Sequence, residues 1–281
     1  MIILKNILHP IEQGRNILLD IFASRTGKKK AVVLFTHGYK SFKDWGCFNL
    51  LGEFFAEKSL IFIKYNLSCN GTTPESPDRI EDKEAFGRNT VSIELSDIRE
   101  MINRIAYMSE IEDNEIDRDN IFLMGHSRGG SDCIIAAKEQ DRVKKLITLS
   151  AFNDYEKTWA SFYDIHKWQE DKVIYRPDKL TGELLPLYFS LYEDYQQNRD
   201  RFNLKNAVKC LKIPFMVFHG IEDQFIYYQE AIEMKRWNKR IYLNLMPYTN
   251  HNFGCRHPYY KNYLPEDWQL IAEESVKFFT P

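Results

Sequence analysis

The chain has 281 residues, of which 44% are hydrophobic and 28% are charged, with a formal net charge of -2. A chain of this length can bury a substantial core within a single α/β domain. Its lysines and arginines are dispersed, which argues against nucleic acid as the main partner, because phosphate binding needs a clustered basic surface. No stretch approaches the roughly twenty consecutive apolar residues of a membrane-spanning helix, so we expect no membrane partner.

The cysteine pattern and the N-terminal residues indicate the cellular compartment of the protein. The five cysteines are an odd number without a paired spacing, which is typical of reduced thiols rather than a disulfide framework. The first residues lack a charged segment followed by a long apolar segment and a small-residue cleavage site. We therefore expect a cytoplasmic protein, and the composition leaves open whether it is a monomer or a homodimer.

Hydrophobic patterning predicts strands that alternate with helices. Residues 2–8 and 16–23 favour an opening antiparallel pair, and the basic run at 28–30 is typical of a solvated hairpin turn. Later apolar runs predict buried strands, and Ile98, Met101, Ile102 and Ile105 have the spacing of a helix packed on a sheet. This alternation predicts an α/β fold with a mostly parallel, twisted sheet flanked by helices, in one domain over 1–281.

A Gly-x-Ser-x-Gly sequence lies at the junction of a predicted strand and helix. It reads Gly125-His126-Ser127-Arg128-Gly129, directly after the apolar run 120–124 and directly before a helical segment. In this context the sequence predicts a nucleophile elbow, whose serine sits in a strained turn. Small residues are needed at Gly125 and Gly129, because neighbouring backbone must pass closely there.

A serine nucleophile needs a base and an acid that orients the base. A buried strand over 213–218 leads to His219-Gly220-Ile221-Glu222-Asp223, which places a carboxylate just beyond the strand end. A polar loop further on contains His251. Asp223 and His251 are therefore the predicted acid and base, in the chain order Ser, Asp, His that distinguishes α/β-hydrolases from other serine-triad folds.

Each assignment has rivals in the sequence. Glu222 and Asp154 are alternative acids, and His257 is an alternative base. The spacing of His251, Cys255 and His257 is compatible with a metal site. The sequence has no second pair of zinc-type ligands at a familiar spacing, so we expect no metal. The histidines at 37, 126 and 219 lie at strand ends where backbone partners are plentiful, and we expect structural roles for them.

The oxyanion that forms when a carbonyl is attacked needs hydrogen-bond donors. The strand over 31–36 leads to His37-Gly38-Tyr39, which fits the position of the loop that supplies one donor. We assign the oxyanion hole to the backbone N–H groups of Tyr39 and Arg128, the second of which lies at a helix N-terminus. The Arg128 side chain stands four residues before Asp132, a spacing that favours a structural ion pair.

Two segments exceed what such a sheet needs. Residues 66–89 contain several turn dipeptides and form a long loop after a strand, which should lie over the active-site edge. Residues 153–208 predict a cap or lid, with a hairpin around a turn at 178–182. The cap is dense in aromatic residues, and we expect most of them to pack it onto the body. The candidates for a substrate pocket above the serine are Trp159, Phe162, Tyr163 and Tyr188.

These motifs together resemble the α/β-hydrolase superfamily, over nearly the whole chain. Within it, His37-Gly38 and the segment from Gly220 to Asp223 are similar to the dienelactone-hydrolase-like and feruloyl-esterase-like bacterial branch. The resemblance implies an acyl-enzyme mechanism, with Ser127, Asp223 and His251 as the catalytic triad. It does not imply a substrate, since this fold hosts many chemistries.

The predicted activity is hydrolysis of a small-molecule carboxylic ester by an acyl-enzyme route that requires no cofactor. An apolar, aromatic pocket would favour a short acyl or hydroxycinnamoyl ester over a highly charged substrate. The same residues would serve a peptidase or a thioesterase. A third possibility is a catalytically silent protein that binds a small ligand and signals by moving its cap.

Overall fold

The buried strands of the sequence assemble into one central sheet. The computed structural model describes residues 1–178 and 180–280. The strands are β1 (Ile2–Pro10), β2 (Asn16–Ala23), β3 (Lys30–Thr36), β4 (Ile61–Asn66), β5 (Ile116–His126), β6 (Val143–Leu149), β7 (Val173–Pro177), β8 (Leu184–Tyr188), β9 (Phe215–Gly220) and β10 (Tyr242–Met246). The helices are α1 (Phe48–Glu57), α2 (Lys83–Arg88), α3 (Val91–Arg104), α4 (Arg128–Glu139), α5 (Tyr155–Phe162), α6 (Ile165–Asp171), α7 (Ser190–Gln197), α8 (Leu204–Cys210), α9 (Gln229–Trp237) and α10 (Glu266–Phe279).

Eight strands pair in the order β1-β2-β4-β3-β5-β6-β9-β10. The pairs β1–β2 and β2–β4 are antiparallel, and every later pair in this order is parallel. The predicted opening strand pair and the mostly parallel sheet are therefore confirmed. Because parallel strands end at the same edge, the loops after β3, β5, β9 and β10 meet there.

The core lies on both faces of the sheet. Alternate side chains of β3 point to opposite faces, so that Val32 and Leu34 pack with α3 and α4, whereas Val33 and Phe35 pack with α1 and α10. This two-sided burial explains the continuous apolar character of the strands. Within the described residues, no helix is both long and apolar enough to cross a bilayer.

Two local predictions differ from the structure. The basic run at 28–30 was expected in a solvated hairpin turn, but β4 lies between β2 and β3 in the sheet, and Lys30 is buried in an ion pair with Glu115. A carboxylate distant in sequence compensates this charge, which composition alone does not reveal. The segment 66–89 is not a loop throughout, since it contains α2, which is capped at its N-terminus by Asp82, whose side chain accepts a hydrogen bond from the Ala85 amide.

The predicted cap segment, 153–208, lies between β6 and β9 and contains α5, α6, the antiparallel pair β7–β8, and α7. Lys179, in the predicted turn at 178–182, lies outside the described residues. The cap contacts the body where β8 packs on α2 and α7 packs on α3. In contrast, α8 packs on α4 and α9 of the body, so the last predicted cap residues belong to the sheet-covering layer.

Candidate active site

Ser127 occupies a sharp turn between β5 and α4. Its backbone angles are φ 54° and ψ -125°, which an L-residue adopts only when its surroundings enforce them. A Cβ at Gly129 would lie 2.2 Å from the His37 carbonyl oxygen, and a Cβ at Gly125 would lie 2.5 Å from the Gly129 carbonyl oxygen. The predicted need for glycine at both positions is confirmed, because backbone packs directly on backbone.

The three predicted catalytic side chains meet at the carboxyl edge of the sheet. Ser127 Oγ lies 3.0 Å from His251 Nε2, and His251 Nδ1 lies 2.7 Å from Asp223 Oδ2. Ser127 follows β5, Asp223 follows β9, and His251 lies in the loop after β10. In this geometry the imidazole can accept the serine proton while the carboxylate holds the other ring nitrogen.

Asp223 is fixed by hydrogen bonds from several directions. Its Oδ1 accepts from the amides of Phe225 and Ile226, both at 2.9 Å. Burial alone would raise the pKa of Asp223, but hydrogen bonds from His219, His251 and the Ile226 amide lower it well below its ordinary range. The carboxylate therefore stays charged at neutral pH and suits the stabilisation of an imidazolium.

The other strand-end histidines have the structural partners that were predicted. Each of them donates one ring N–H to a backbone carbonyl at 2.8 to 2.9 Å, and the pairs are His37 with Gly38, His126 with His251, and His219 with Ile226. His219 Nε2 also lies 3.5 Å from Asp223 Oδ2. These rings therefore brace the loops that carry the triad.

The loop after β3 passes directly beside the nucleophile. A Cβ on Gly38 would lie 3.0 Å from the Ser127 Cβ, so the next residue, Tyr39, is adjacent to the serine. The amide of Arg128 is the first N–H of α4, which has no acceptor within its own helix. Both assigned donors thus flank Ser127, and their role in binding an oxyanion stays a prediction.

The predicted ion pair between Arg128 and Asp132 is wrong. Arg128 Nε donates instead to Glu94 Oε2 of α3 at 2.7 Å, and both side chains are buried. Asp132 accepts a hydrogen bond from the Tyr155 hydroxyl. Burial, together with the nearby charge of Glu94, raises the pKa of Asp132 well above its ordinary range, so a neutral Asp132 leaves Glu94 as the counterion of Arg128. A helical spacing of four could not reveal this tertiary partner.

A cavity of about 740 Å³ opens beside Ser127 and His251, between the body and the cap. Trp159, Phe162 and Tyr163 of the cap line it, as predicted. Most of the other cap aromatics pack internally and are buried, namely Trp168, Phe189, Tyr192 and Tyr195. The cavity is therefore walled largely by apolar side chains, which is typical of small-molecule sites.

Tyr188 does not line this cavity, contrary to prediction. Its hydroxyl donates to Glu84 Oε2, and its ring lies within 3 Å of where a Gly87 Cβ would be. Tyr188 therefore joins the cap to α2. The sequence did not reveal this orientation because it depends on how β8 packs against α2.

Several residues of the cavity were not among the candidates. Phe225 lies two residues after Asp223, and its ring centroid is 5.4 Å from that of His251. Arg176 of β7 enters the cavity wall from the cap, as does Leu187 of β8. The position of Phe225 beside the predicted acid was a usable signal, whereas nothing in the sequence relates Arg176 to Ser127.

The rival assignments occupy other positions. Glu222 is exposed, and Asp154 accepts a hydrogen bond from the Lys157 amide as the N-cap of α5. His257 lines the cavity, but its Nδ1 accepts a hydrogen bond from the Gly46 amide. The structure therefore brings Ser127 together with the favoured acid and base rather than with these rivals.

The fold and the site define the protein as an α/β-hydrolase of the serine-hydrolase class. Residues 94–267 match the Prolyl oligopeptidase family, and the chain belongs to that family. A search of curated proteins gives no match. The match covers the nucleophile elbow, the acid and the loop histidine.

Solved structures share this fold at low sequence identity. Est1E from Butyrivibrio proteoclasticus is 15% identical, with a TM-score of 0.69, over 98% of this chain and 97% of Est1E. The esterase domain of a Rhodothermus marinus protein is 14% identical, with a TM-score of 0.66, over 99% and 98%. The acylaminoacyl peptidase of Pyrococcus horikoshii is 17% identical, with a TM-score of 0.66, over 97% of this chain but 40% of the peptidase. These likenesses show the fold.

Proposed function

We propose that the protein is a serine esterase that cleaves carboxylic esters through an acyl-enzyme intermediate on Ser127. The observation that carries the proposal is the hydrogen-bonded chain from Ser127 Oγ through His251 to Asp223, at 3.0 and 2.7 Å, beside an apolar cavity. A serine hydroxyl is a poor nucleophile, and this chain supplies the base that activates it.

In the proposed reaction, Ser127 Oγ attacks the ester carbonyl while His251 Nε2 accepts its proton. Asp223 holds the ring through Nδ1 and stabilises the imidazolium. The amides of Tyr39 and Arg128 donate to the oxyanion of the tetrahedral intermediate. His251 then protonates the departing alcohol, and water repeats the cycle on the acyl-enzyme to release the acid.

An ester substrate has support from the structural comparisons. The similarity to Est1E and to the Rhodothermus marinus esterase domain extends over nearly all of both chains and so includes the cap. One solved structure of Est1E has ferulic acid bound. The aromatic cap residues Trp159, Phe162 and Tyr163 suit an acyl group of that kind, and we propose short acyl or hydroxycinnamoyl esters as the substrate class.

A peptidase is the second candidate, because the matching family is named for oligopeptidases and an acylaminoacyl peptidase shares the fold. The triad serves both reactions. The two differ in the leaving group, since an amide nitrogen must be protonated by His251 before it departs. Substrates that share an acyl group and differ in the leaving atom therefore discriminate between them.

The test is burst and steady-state hydrolysis of 4-nitrophenyl acetate, butyrate and octanoate, of methyl ferulate, and of the 4-nitrophenyl ester and the 4-nitroanilide of N-acetylalanine, which share an acyl group. We expect ester turnover that is lost in Ser127→Ala, together with fluorophosphonate labelling of the wild-type serine. Faster turnover of the anilide would favour the peptidase. Absence of both labelling and turnover in folded protein would contradict a serine hydrolase and favour a silent binder.

A further inference from the structure

The cavity beside Ser127 has a polar wall that the proposed acyl transfer does not use. Four side chains form it, namely Tyr39, Arg128, Tyr163 and Arg176, and we call it the cationic wall. The guanidinium carbon of Arg176 lies 4.7 Å from the centroid of the Tyr163 ring, and that of Arg128 lies 5.9 Å from the centroid of the Tyr39 ring. The hydroxyl groups of the two tyrosines are neighbours.

Hydrogen-bonding capacity in this wall is left unsatisfied. Tyr39 Oη and Arg128 Nη2 are both buried; among the described residues, Arg128 Nη2 has no hydrogen-bond partner, and Tyr39 Oη has only the neighbouring Tyr163 hydroxyl. Buried polar groups are normally hydrogen-bonded, because an unpaired donor loses its water without replacement. Such a pair of donors at the wall of a substrate cavity indicates a site that an acceptor group on a ligand would complete.

The charges of the wall are only partly compensated. Glu94 pairs with Arg128 at 2.7 Å. Among the described residues, Arg176 contacts neutral groups, namely the Phe162 carbonyl at 2.6 Å and the ring and hydroxyl of Tyr163. Among the described residues that line the cavity, the one carboxylate is Asp178, whose oxygens accept hydrogen bonds from its own turn.

Other cations extend the same potential toward the solvent. Lys40, Arg79 and Arg256 also line the cavity, although Arg79 has an ion pair with Glu81 at 2.7 Å. Clefts lined by one sign of charge, with low-dielectric walls, concentrate ligands of the opposite sign. The cavity thus combines an apolar interior with a positive potential.

We propose that Arg176, with the Tyr163 and Tyr39 hydroxyls, forms a subsite for a carboxylate carried by the substrate. The preferred ester then has an apolar body and a carboxylate away from the scissile bond. A guanidinium presents two parallel N–H donors that match a carboxylate, and phenolic hydroxyls add further donors. This inference rests on the proposed esterase function for the reaction itself. It adds to that function the prediction that the substrate carries a negative charge.

The anion lies away from the reacting carbonyl, so its contacts are alike in the ground state and the transition state. Uniform binding of this kind lowers KM and raises kcat/KM with little change in kcat. A charge-assisted contact of this type corresponds to roughly tenfold to hundredfold in affinity. Added salt should reduce the effect, since the site is open to solvent at one side.

The experiment compares matched ester pairs in which one member has a free carboxylate where the other has a neutral methyl ester. Mono-4-nitrophenyl adipate is measured against its methyl ester, which places the carboxylate on the acyl side. Sodium 4-acetoxybenzoate is measured against methyl 4-acetoxybenzoate, which places it on the leaving group. We expect kcat/KM to favour the anionic member about tenfold or more in at least one pair, mainly through KM.

Variants assign the preference to the subsite. In Arg176→Gln the anionic-to-neutral ratio should fall to near one, and Arg176→Lys should restore part of it. The neutral ester of each pair reports the amount of functional enzyme, so the ratio is insensitive to loss of folded protein. Arg201→Gln is the matched control, because this substitution removes the same charge at a residue outside the cavity. Arg201 pairs with Glu139 at 2.8 Å.

Binding of the same intact ester pairs to Ser127→Ala, measured by calorimetry, separates the subsite from the reaction. If wild-type protein hydrolyses no ester but Ser127→Ala prefers the anionic members, the esterase proposal fails and the subsite stands. The subsite is overturned if neither pair shows a preference for the anion in turnover or binding, or if the preference persists in Arg176→Gln.

Discussion

The imidazole of His126 supports the loop that carries His251. His126 Nε2 donates to the His251 carbonyl oxygen at 2.9 Å, and the two ring centroids are 5.0 Å apart. Burial, with the nearby His251 ring, lowers the pKa of His126 to about 3. The residue before the nucleophile is therefore a neutral, buried donor that fixes the position of the base.

Neutral buried histidines predict how stability depends on pH. Burial also lowers the pKa of His37 to about 4. In the unfolded chain both rings titrate near 6.5, so between about 4 and 6.5 the unfolded state binds more protons than the folded state. The free energy of unfolding should then fall as the pH drops through this window, by about 1.4 kcal/mol per pH unit for each histidine.

Urea titrations between pH 4.5 and 7.5 measure this slope. His37→Asn should reduce the slope below pH 6 by about 1.4 kcal/mol per pH unit, since one proton-linked group is removed. His166→Asn, which changes an exposed histidine of α6, is the control. A slope unchanged by His37→Asn would contradict a neutral, buried His37.

Asp223→Asn should reduce kcat about 10³- to 10⁴-fold, because the amide cannot stabilise the imidazolium and favours the wrong ring tautomer. Glu222→Gln is the matched control, since Glu222 is the adjacent carboxylate and is exposed. Steady-state hydrolysis of 4-nitrophenyl butyrate measures both variants. A larger loss in Glu222→Gln than in Asp223→Asn would reverse the assignment of the acid.

Gly129→Ala should destabilise the protein by several kcal/mol and abolish labelling of Ser127 by a fluorophosphonate. The added Cβ would meet the His37 carbonyl oxygen at 2.2 Å, so the loop after β3 must separate from the elbow. Gly52→Ala is the comparison, because its Cβ would meet the Phe22 ring at 2.7 Å, and a side chain can shift where backbone cannot. Thermal unfolding and labelling rates measure both, and equal labelling in the two variants would contradict the packing argument.

Lys64→Met should cost about 3–5 kcal/mol of stability, because it leaves buried carboxylates with too little positive charge. Lys64 Nζ lies 2.6 Å from both Asp20 Oδ2 and Asp44 Oδ1, and Lys43 completes the cluster. Lys43 and Asp44 belong to the loop after β3, which also carries the proposed oxyanion donor Tyr39, so activity should fall as well. Lys277→Met, at an exposed pair with Glu274, is the control. Chemical denaturation that shows a similar small loss for both variants would contradict this role of the cluster.

Local sequence patterns were sufficient to predict a residue's role wherever that role follows from its neighbours in sequence. The elbow around Ser127 could be predicted because strand, turn and helix adjoin there. Asp223 and His251 could be predicted because parallel strands end at one edge, so that residues just past strand ends converge. The structure brings all three within hydrogen-bonding distance.

The partners of buried charges could not be predicted in this way. Arg128 pairs with Glu94 rather than with Asp132, and Lys30 pairs with Glu115 rather than facing solvent. A charge in a low-dielectric interior takes its counterion from whichever element packs against it. That choice depends on tertiary packing and leaves no spacing in the sequence.

The alternation of strands and helices, the elbow and the candidate triad could be predicted from the sequence, because they follow from periodicity and from short-range backbone sterics. Which cap residues face the cavity depends on tertiary packing. Tyr188 points to α2 while Arg176 joins the cavity wall, since the orientation of a hairpin is set by the surfaces on which it packs.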